Sequence, residues 1–402
     1  MPRLLVIVPD RISQIIEKGE YQPGYYNPGE VFDEVHILMT NDDKPDPAAL
    51  QRTVGSARLV LHNYPDQAGI STKSWPFLTG HRLRTWAKGG VEIARQIAPD
   101  MIRCHGSDWN TYLASRIKKT LGIPYIVSLH INPDINPVRR IVSPVTKADQ
   151  RHNAFYEYLE GEALRNADLV MPVYKTILPY LKRLGVARVE VCYNVLNREF
   201  LRQKTDYALS SPPHIVYVGR LFAEKDPSNI IRAVASLEGV RYTIVGDGPH
   251  LKVLSSLISE LGVGDRIKLL PAVPNDELCL LLADADIFAI HTEYWEISKS
   301  ILEALLTGLP VIVNKRIGEP VPEFTDAVDG NPFLSLVDNT VEAYRKALGH
   351  LLEDHNARKA LGERAFTHAR ARWSPAKTEA KFASIYRDIL AKRNPKMIEG
   401  SA

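Results

Sequence analysis

Short apolar, β-branched segments alternate with helical patterns along most of the chain, and this alternation restricts the fold more than any other feature. The first series of predicted strands covers residues 4–8, 34–38, 58–62, 101–105, 124–130, 169–173 and 189–193. Helical patterns lie between them over residues 80–97, 109–121 and 156–166. A repeat of this kind predicts a parallel β-sheet with helices on both faces.

A polar stretch without periodicity, residues 198–213, ends in two serines and two prolines and is predicted to be a linker. A second series follows, with strands predicted at 215–218, 242–245, 267–270, 287–290 and 311–314 and helices at 228–237, 250–261, 276–283, 299–307 and 340–354. We therefore predict an α/β protein of two tandem Rossmann-like, doubly wound domains that face a cleft. The predicted domains are residues 1–197 and 214–373, and a last helical segment covers 374–402.

Composition agrees with a multi-domain globular protein, because 402 residues exceed one ordinary core and 45% are hydrophobic against 24% charged. The net charge of +3 points to no partner, and no apolar run approaches the roughly 20 residues that span a bilayer. The N-terminus does not have the pattern of a signal peptide. Cys104, Cys192 and Cys279 lie far apart and are predicted to be buried free thiols. We expect a cytoplasmic enzyme or binding protein.

A loop with two cations follows the first strand of the second predicted domain. Gly219 allows close approach of the backbone, and Arg220 and Lys225 can converge on one anion such as a diphosphate. The alternative is an exposed basic loop in which Lys225 pairs with Glu224 or Asp226.

The helix predicted from Ser298 to Gly308 combines an anion-binding start with one acidic residue. Ser298 is a candidate N-cap, and free amides at the helix start favour phosphate. Glu303 lies about 7.5 Å further along the helix axis. This distance suits a nucleotide that lies along the helix, with its phosphate at the helix start and a ribose hydroxyl that donates to Glu303. The alternative is a solvated glutamate on a surface helix.

Two histidines, His105 and His130, close predicted strands of the first domain and can point into the cleft. They can donate to a sugar hydroxyl or stabilise a forming charge, although a satisfied structural histidine is the alternative. The Gly246-Asp247-Gly248 turn lacks the third glycine of a dinucleotide fingerprint, so we predict a packing role for it. No metal-ligand spacing and no catalytic triad is evident.

These motifs resemble the large retaining glycosyltransferase family typified by bacterial mannosyl- and glucosyltransferases of surface polysaccharides, family 4 with the GT-B fold. The resemblance is strongest from Ile215 to about Val337. It rests on the segments around Gly219–Asp226, Val245–Pro249, Ser298–Pro310, Val321–Phe324, Ser128–His130, Ala167–Asp168 and Tyr193–Val195.

The resemblance implies a role for each matched residue. Gly219, Arg220 and Lys225 would hold the diphosphate, and the start of the helix at Ser298, Lys299 and Ser300 would bind it through backbone amides. Glu303 would bind the ribose, the main chain at Ala272 and Val273 would seat the base, and His130 would touch the transferred sugar. The implied co-substrate is a nucleotide-diphosphate sugar, with neither a metal nor a protein nucleophile required, since the leaving phosphate helps to deprotonate the acceptor.

Two departures from the family pattern affect the site. Trp295 stands where the family has its first glutamate, so Glu296, or Glu293, is the candidate for the sugar-facing catalytic role. The usual glycine pair after the first strand is replaced by residues 19–30. The acceptor-side candidates are His105 and, in this replaced segment, Tyr25, Tyr26 and Asn27; a surface loop without a role is the alternative for the segment.

Basic residues of the first domain suggest contact with an anionic membrane surface, with a solvated helix face as the alternative. They are Arg139, Arg140, Lys147 and Arg151, together with Arg82, Arg84 and Lys88 beside Trp86. The predicted function is transfer of a hexose to a glycan, lipid-linked or small-molecule acceptor in surface polysaccharide or glycoconjugate synthesis, without nucleic acid, in the cytoplasm or at the inner face of the membrane. The alternatives are a non-catalytic nucleotide- or sugar-binding protein, which Trp295 favours, and a nucleotide-sugar epimerase of the same fold.

Overall fold

The computed structural model of the chain describes residues 1–65, 76–135, 140–141, 143–294, 296–325, 327–328 and 330–393. Internal contacts group these residues into two compact units. Unit 1 contains Met1–Glu17, Tyr21–Val195 and the described residues from Thr378 onward, and unit 2 contains Lys18–Glu20 and Leu196–Lys377.

Unit 1 is built on a parallel sheet whose six described strands have the order β3-β2-β1-β4-β5-β6. The strands are β1 (Arg3–Val8), β2 (Glu34–Met39), β3 (Arg58–Asn63), β4 (Met101–His105), β5 (Tyr125–Leu129) and β6 (Leu169–Pro172). Every residue of β4 and β5 is buried, as expected for strands covered on both faces. The strand order reverses between β1 and β4, and ligands bind beyond the carboxyl ends of strands at such a switch point.

The helices described in unit 1 are α1 (Ile12–Glu17), α2 (Pro47–Gln51), α3 (Pro76–Ile97), α4 (Trp109–Leu121), α5 (Lys147–Arg165) and α6 (Leu178–Arg183). Local sequence fixes their ends. Asp108 caps α4 by accepting from the Trp109 amide, and α4 stops at Gly122, which adopts a left-handed φ of 70°. Thr146 and Asp149 form a capping box at the start of α5.

The strand predicted over residues 189–193 is wrong. This segment lies beside β6. The Glu190 amide donates to the Val170 carbonyl (3.0 Å), and the Cys192 amide donates to the Pro172 carbonyl (3.0 Å). The pairing is nevertheless limited to one isolated β-bridge, between Val170 and Val189. β6 has four residues and ends in a proline, which has no N–H to donate. The sheet edge at β6 therefore cannot form a full hydrogen-bonded ladder with residues 189–193.

Unit 2 repeats the same architecture, with the described sheet order β14-β11-β10-β7-β8-β9. Its strands are β7 (His214–Val218), β8 (Arg241–Val245), β9 (Ile267–Leu270), β10 (Ile287–Ile290), β11 (Val311–Asn314) and β14 (Ser335–Val337), with β12 (Ala327–Val328) and β13 (Asn331–Pro332) forming a separate antiparallel pair. The switch point lies between β7 and β10. The prediction of two doubly wound α/β domains is confirmed.

The helices described in unit 2 are α7 (Ser228–Ala235), α8 (Leu251–Glu260), α9 (Asn275–Asp284), α10 (Lys299–Thr307), α11 (Val341–Glu353) and α12 (His355–Trp373). Sequence periodicity did not predict α12, because its buried face includes Arg358 and His368 beside apolar residues. Arg358 is buried because its guanidinium donates to the carbonyls of Tyr207 (2.9 Å) and Leu351 (2.6 Å).

The segment predicted as a linker, residues 198–213, contains neither a helix nor a strand but packs closely on unit 2. The Lys204 amide donates to the Thr307 carbonyl (2.7 Å), and the buried Tyr207 hydroxyl donates to the Gly308 carbonyl (2.9 Å). These contacts tie the segment to the end of α10, so it is part of the second unit's structure and not a free tether.

The last helix, α13 (Pro375–Arg393), contributes its residues from Thr378 onward to unit 1. Tyr386 packs its ring 5.4 Å from that of Phe32 and accepts a hydrogen bond from Arg103 of β4 (2.8 Å). The predicted buried, free state of the three cysteines is confirmed. No helix in the described part of the chain has the length and apolarity needed to cross a membrane.

Candidate functional site

Two loops meet at the switch point of unit 2, where β7 and β10 lie side by side. The loop after β7 and the segment after β10 are joined by the Glu293 amide, which donates to the Glu224 carbonyl (2.7 Å). They are joined again by Lys225, whose ammonium lies 2.7 Å from a carboxylate oxygen of Glu296. A cation and a carboxylate therefore stand together at the place where a doubly wound sheet binds its ligand.

Lys225 is held in place on three sides. Its side chain is 8% exposed, its ammonium lies 5.2 Å from the centre of the Tyr294 ring, and its carbonyl accepts from the buried Tyr217 hydroxyl (2.7 Å). The predicted alternative, a pair with Glu224 or Asp226, is not the one formed. Such a fixed, nearly desolvated ammonium suits an anionic ligand, because little ordering is needed when the ligand binds.

Arg220 is exposed at the end of β7 and lies with its guanidinium 5.5 Å from the Phe222 ring. Burial raises the pKa of the Tyr294 hydroxyl, Glu224 raises it further, and the positive charge of Arg220 opposes the rise. Lys225 contacts the same tyrosine, so both predicted phosphate-binding cations act on the Tyr294 side chain.

The glycine turn after β8 packs against the Gly219 loop. A β-carbon on Gly246 would stand 1.9 Å from the Gly219 carbonyl oxygen, and one on Gly248 would stand 2.1 Å from that of Leu221. The two backbones are joined by Gly219, which donates to Val245 (3.1 Å). The packing role predicted for this turn is confirmed. The close contact sets how near the Gly219–Arg220 backbone lies to the turn after β8.

The start of α10 is capped as predicted, and the helix ends at Gly308 in a left-handed conformation with a φ of 82°. Ser298 accepts from the Ile301 amide through its hydroxyl (3.3 Å), and the Ser300 hydroxyl lies 3.0 Å from that of Ser298. Helix geometry leaves the Lys299 and Ser300 amides without intrahelical acceptors. They are the donors available to an anion at this end.

Glu303 is buried with 1% of its surface exposed, so the alternative of a solvated glutamate is wrong. Its Oε1 accepts a hydrogen bond from the side-chain amide nitrogen of Asn275 (2.8 Å) and lies 3.9 Å from the Lys299 ammonium. Burial raises the pKa of the Glu303 carboxyl, and Lys299 and Asn275 oppose that rise. The carboxylate is thus an acceptor oriented by two neighbours.

The loop before α9 is anchored to the turn after β8. The Ala272 amide donates to the Asp247 carboxylate (2.9 Å), and Val273, the predicted base contact, is half-buried next to it. Between the two candidate glutamates, Glu296 meets Lys225, whereas Glu293 is half-exposed with its carboxylate 3.6 Å from His291. Trp295 lies outside the described residues.

His105 and His130 come together in unit 1, at the carboxyl ends of β4 and β5. Their rings stack with centroids 5.6 Å apart, and both Nε2 atoms are buried without a hydrogen-bond partner among the described residues. Burial and the charge of Arg103 lower the pKa of His130 to about 4 and that of His105 well below its ordinary value. At neutral pH the pair therefore offers uncharged hydrogen-bonding groups, not cations.

Arg103, which the sequence did not single out, lies fully buried behind this pair. It donates to the Tyr25 carbonyl (2.9 Å), the Tyr386 hydroxyl (2.8 Å) and the Ser128 hydroxyl (3.3 Å). No carboxylate of the described residues forms an ion pair with it. An arginine in the middle of an apolar strand pattern was the available signal.

The acceptor-side prediction needs correction at Tyr26 and Asn27. Both are 0% exposed. Asn27 donates to the carbonyls of Phe32 (2.9 Å) and Val54 (3.1 Å) and accepts from the Phe32 amide (3.0 Å), while the Tyr26 hydroxyl donates to that of Tyr21 (2.6 Å). These side chains hold their own loop together. Tyr25 is half-buried, 5.8 Å from the His105 ring, and keeps some surface for a ligand.

The predicted basic surface is smaller than expected. Trp86 is buried, donates to the Pro65 carbonyl (2.9 Å) and stacks on Tyr64, so it cannot face a membrane. Arg140 is paired with the fully buried Glu160. Exposed basic residues remain at Lys147, Arg151, Arg82, Arg84 and Lys88, and Arg139 lies outside the described residues.

Comparison with known proteins explains this arrangement. Residues 32–194 match the family model described as glycosyl transferase 4-like domain, and residues 198–368 match the model for glycosyl transferases group 1. The chain belongs to the family 4 glycosyltransferases. This glycosyltransferase is 24% identical over 336 residues to alpha-D-kanosaminyltransferase of Streptomyces kanamyceticus, a match that covers 76% of the chain and 83% of the relative. It is 33% identical over 190 residues to D-inositol 3-phosphate glycosyltransferase of Corynebacterium glutamicum, covering 45% of the chain and 44% of that relative.

Solved structures share the GT-B fold of the glycosyltransferase. Sucrose-phosphate synthase from Thermosynechococcus elongatus aligns with a TM-score of 0.70 at 17% identity, over 98% of this chain and 100% of that one. Anabaena HepE in complex with UDP-glucose aligns with a TM-score of 0.66 at 16% identity, over 96% and 100%. At these identities the likeness establishes the fold, while the sequence matches identify the chain as an enzyme that transfers glycosyl groups.

Proposed function

We propose that the chain is a retaining glycosyltransferase that moves a hexose from a nucleotide-diphosphate sugar to a glycan, lipid-linked or small-molecule acceptor in surface polysaccharide or glycoconjugate synthesis. The observation that carries this proposal is the fixed Lys225 ammonium at the β7–β10 switch point, in the same unit as the capped start of α10 and the buried Glu303. Anabaena HepE, whose fold this chain shares, has been solved with UDP-glucose, which supports a nucleotide-sugar donor.

The donor diphosphate would lie against Lys225 and Arg220, with the Lys299 and Ser300 amides as further donors. Both cations would offset the charge that grows on the leaving nucleotide as the glycosidic bond breaks. Glu303 would accept from a ribose hydroxyl, and the main chain at Val273 would meet the base. This set holds and stabilises the leaving group, which is the main requirement of a reaction without a protein nucleophile.

The histidine pair would serve the transferred sugar and the acceptor. His130 would meet a sugar hydroxyl and His105 an acceptor hydroxyl. Because their pKa values are lowered, both histidines would act as neutral hydrogen-bond partners, and the leaving phosphate would take the acceptor proton. Glu296 would face the sugar from beside Lys225, in place of the family's first glutamate.

A donor panel tests the proposal. We expect the purified protein to release free nucleotide from one class among UDP-, GDP- and ADP-sugars, and to release it faster when an acceptor is present. The product should keep the donor's anomeric configuration, as read by NMR. Binding of nucleotides without turnover for all donors and acceptors would contradict the catalytic assignment, and an inverted product would overturn the retaining mechanism.

A lipid-linked acceptor would bring unit 1 to an anionic membrane surface, and Lys147 and Arg151, which follow the exposed Val145 in the sequence, are two of the exposed basic residues that could contact it. Each charge reversal, Lys147→Glu or Arg151→Glu, should weaken binding to phosphatidylglycerol vesicles by about fivefold or more, since one basic residue contributes about 1 kcal/mol there. Co-sedimentation measures this, with phosphatidylcholine vesicles and Lys359→Glu as controls. Equal binding to both vesicle types would remove membrane contact from the proposal.

A further inference from the structure

Asn275, the first residue of α9, stands against the buried carboxylate of α10. It is 4% exposed, and its amide nitrogen lies 2.8 Å from Oε1 of Glu303. The two residues come from different helices, so this hydrogen bond fixes α9 against the side of α10 that carries the predicted ribose contact. The sequence resemblance gave Asn275 no role.

The hydrogen bond from Asn275 occupies only one of the two carboxylate oxygens of Glu303. Oε1 is used by Asn275 and lies 3.9 Å from the Lys299 ammonium. No donor among the described residues forms a hydrogen bond with Oε2. A carboxylate oxygen accepts two or more hydrogen bonds, so Oε2 keeps its full capacity for a ligand hydroxyl.

The amide group also selects the ionised form of Glu303. The Asn275 nitrogen can only donate, and a donor stabilises the carboxylate over the protonated acid. Burial, with the charge of Glu20, raises the pKa of this carboxyl, and Lys299 and the hydrogen bond from Asn275 lower it. Without Asn275, Glu303 would be freer to rotate and easier to protonate, and it would be a weaker acceptor.

We propose that Asn275 is a positioning residue that aims Oε2 of Glu303 at a ribose hydroxyl of the donor and thereby sets the preference for ribonucleotides. This inference rests on the proposed function, because it requires a nucleotide-sugar donor whose ribose meets Glu303. Asn275 acts through Glu303 and not on the ribose directly. Its loss should therefore affect donor binding more than the chemical step.

The test compares ribonucleotides with deoxyribonucleotides. Affinities of UDP, GDP and ADP and of their 2′-deoxy and 3′-deoxy forms are measured by calorimetry for the wild type and for Asn275→Ala, Asn275→Asp and Glu303→Ala. We expect the wild type to bind one ribonucleotide at least tenfold better than the deoxy form that lacks the contacted hydroxyl. In Asn275→Ala and Glu303→Ala this ratio should fall below threefold.

Kinetics separate positioning from a general loss of structure. Asn275→Ala should raise the donor KM about tenfold and leave kcat within threefold, and the double variant with Glu303→Ala should be no worse than Glu303→Ala alone. Asn275→Asp, which keeps the shape but places a second carboxylate beside Glu303, should be worse than Asn275→Ala. Asp276→Asn, at the exposed next position, is the matched control and should change neither the KM nor the deoxy ratio.

Two failures can be told apart. A wild type that binds none of the three nucleotides, or binds ribo- and deoxynucleotides equally, contradicts the proposed donor site itself. A wild type that prefers ribonucleotides, combined with an Asn275→Ala protein that keeps the full preference, overturns the role of Asn275 alone. If Asn275→Ala is poorly folded by circular dichroism, Asn275→Ser gives the same comparison with a polar residue at the helix start.

Discussion

Lys225→Ala is expected to lower kcat/KM for the nucleotide sugar by about 100- to 1000-fold, the loss seen when one preorganised group facing developing charge is removed. The Lys225 ammonium is almost desolvated, and its position is fixed by Tyr217, Tyr294 and Glu296. A charge in such surroundings interacts with a diphosphate more strongly than an exposed charge does. Steady-state kinetics with the donor identified in the panel measures the loss.

Part of this loss would come from the partner left behind. The Glu296 carboxylate is 16% exposed beside Lys225. Without Lys225 it would be unpaired and would repel the donor phosphates. The double variant Lys225→Ala/Glu296→Gln should therefore bind the nucleoside diphosphate about tenfold better than Lys225→Ala, although turnover should stay low because the sugar-facing carboxylate is also lost. Recovery of the wild-type nucleotide affinity would mean that Lys225 serves only to neutralise Glu296.

Lys315→Ala is the matched control for Lys225. Lys315 is also a lysine of unit 2 beside a carboxylate, 3.7 Å from Asp338, but its side chain is 54% exposed. Exposed pairs contribute little, so kcat/KM should stay within twofold. If the two variants lose activity equally, the predicted diphosphate site is not at the β7–β10 switch point.

Most of the site in unit 2 could be predicted because its chemistry lies at the ends of regular elements. Periodicity placed β9, β10, β11 and α10 with the bounds that the structure shows. The carboxyl ends of neighbouring parallel strands then had to bring Lys225 close to the segment before α10. Local sequence therefore carried the geometry.

The parts that sequence reasoning missed depend on packing between distant segments. Tyr26 and Asn27 look like exposed loop residues, but they are buried by bonds to Tyr21, Phe32 and Val54 that no local pattern reveals. Arg103 donates to Tyr386 of α13, which lies 283 positions further along the chain. Asn275 pairs with Glu303 across two helices, and neither the period of α9 nor that of α10 indicates which faces meet.

Gly246→Ala should destabilise unit 2 by about 3 kcal/mol, at the upper end of what overpacking usually costs. The added methyl would stand 1.9 Å from the Gly219 carbonyl oxygen, which is backbone and cannot rotate away, and the φ of 152° is one that L-residues rarely adopt. Relief of the clash must push the Gly219–Arg220 backbone outward, so the donor KM should rise about tenfold even where the protein is still folded. Urea unfolding and donor kinetics measure the two effects, and Gly264→Ala is the control, since its nearest neighbour would be the Ile258 side chain at 3.8 Å. A Gly246→Ala protein as stable and as active as Gly264→Ala would show that the position of the Gly219 loop does not depend on this close contact.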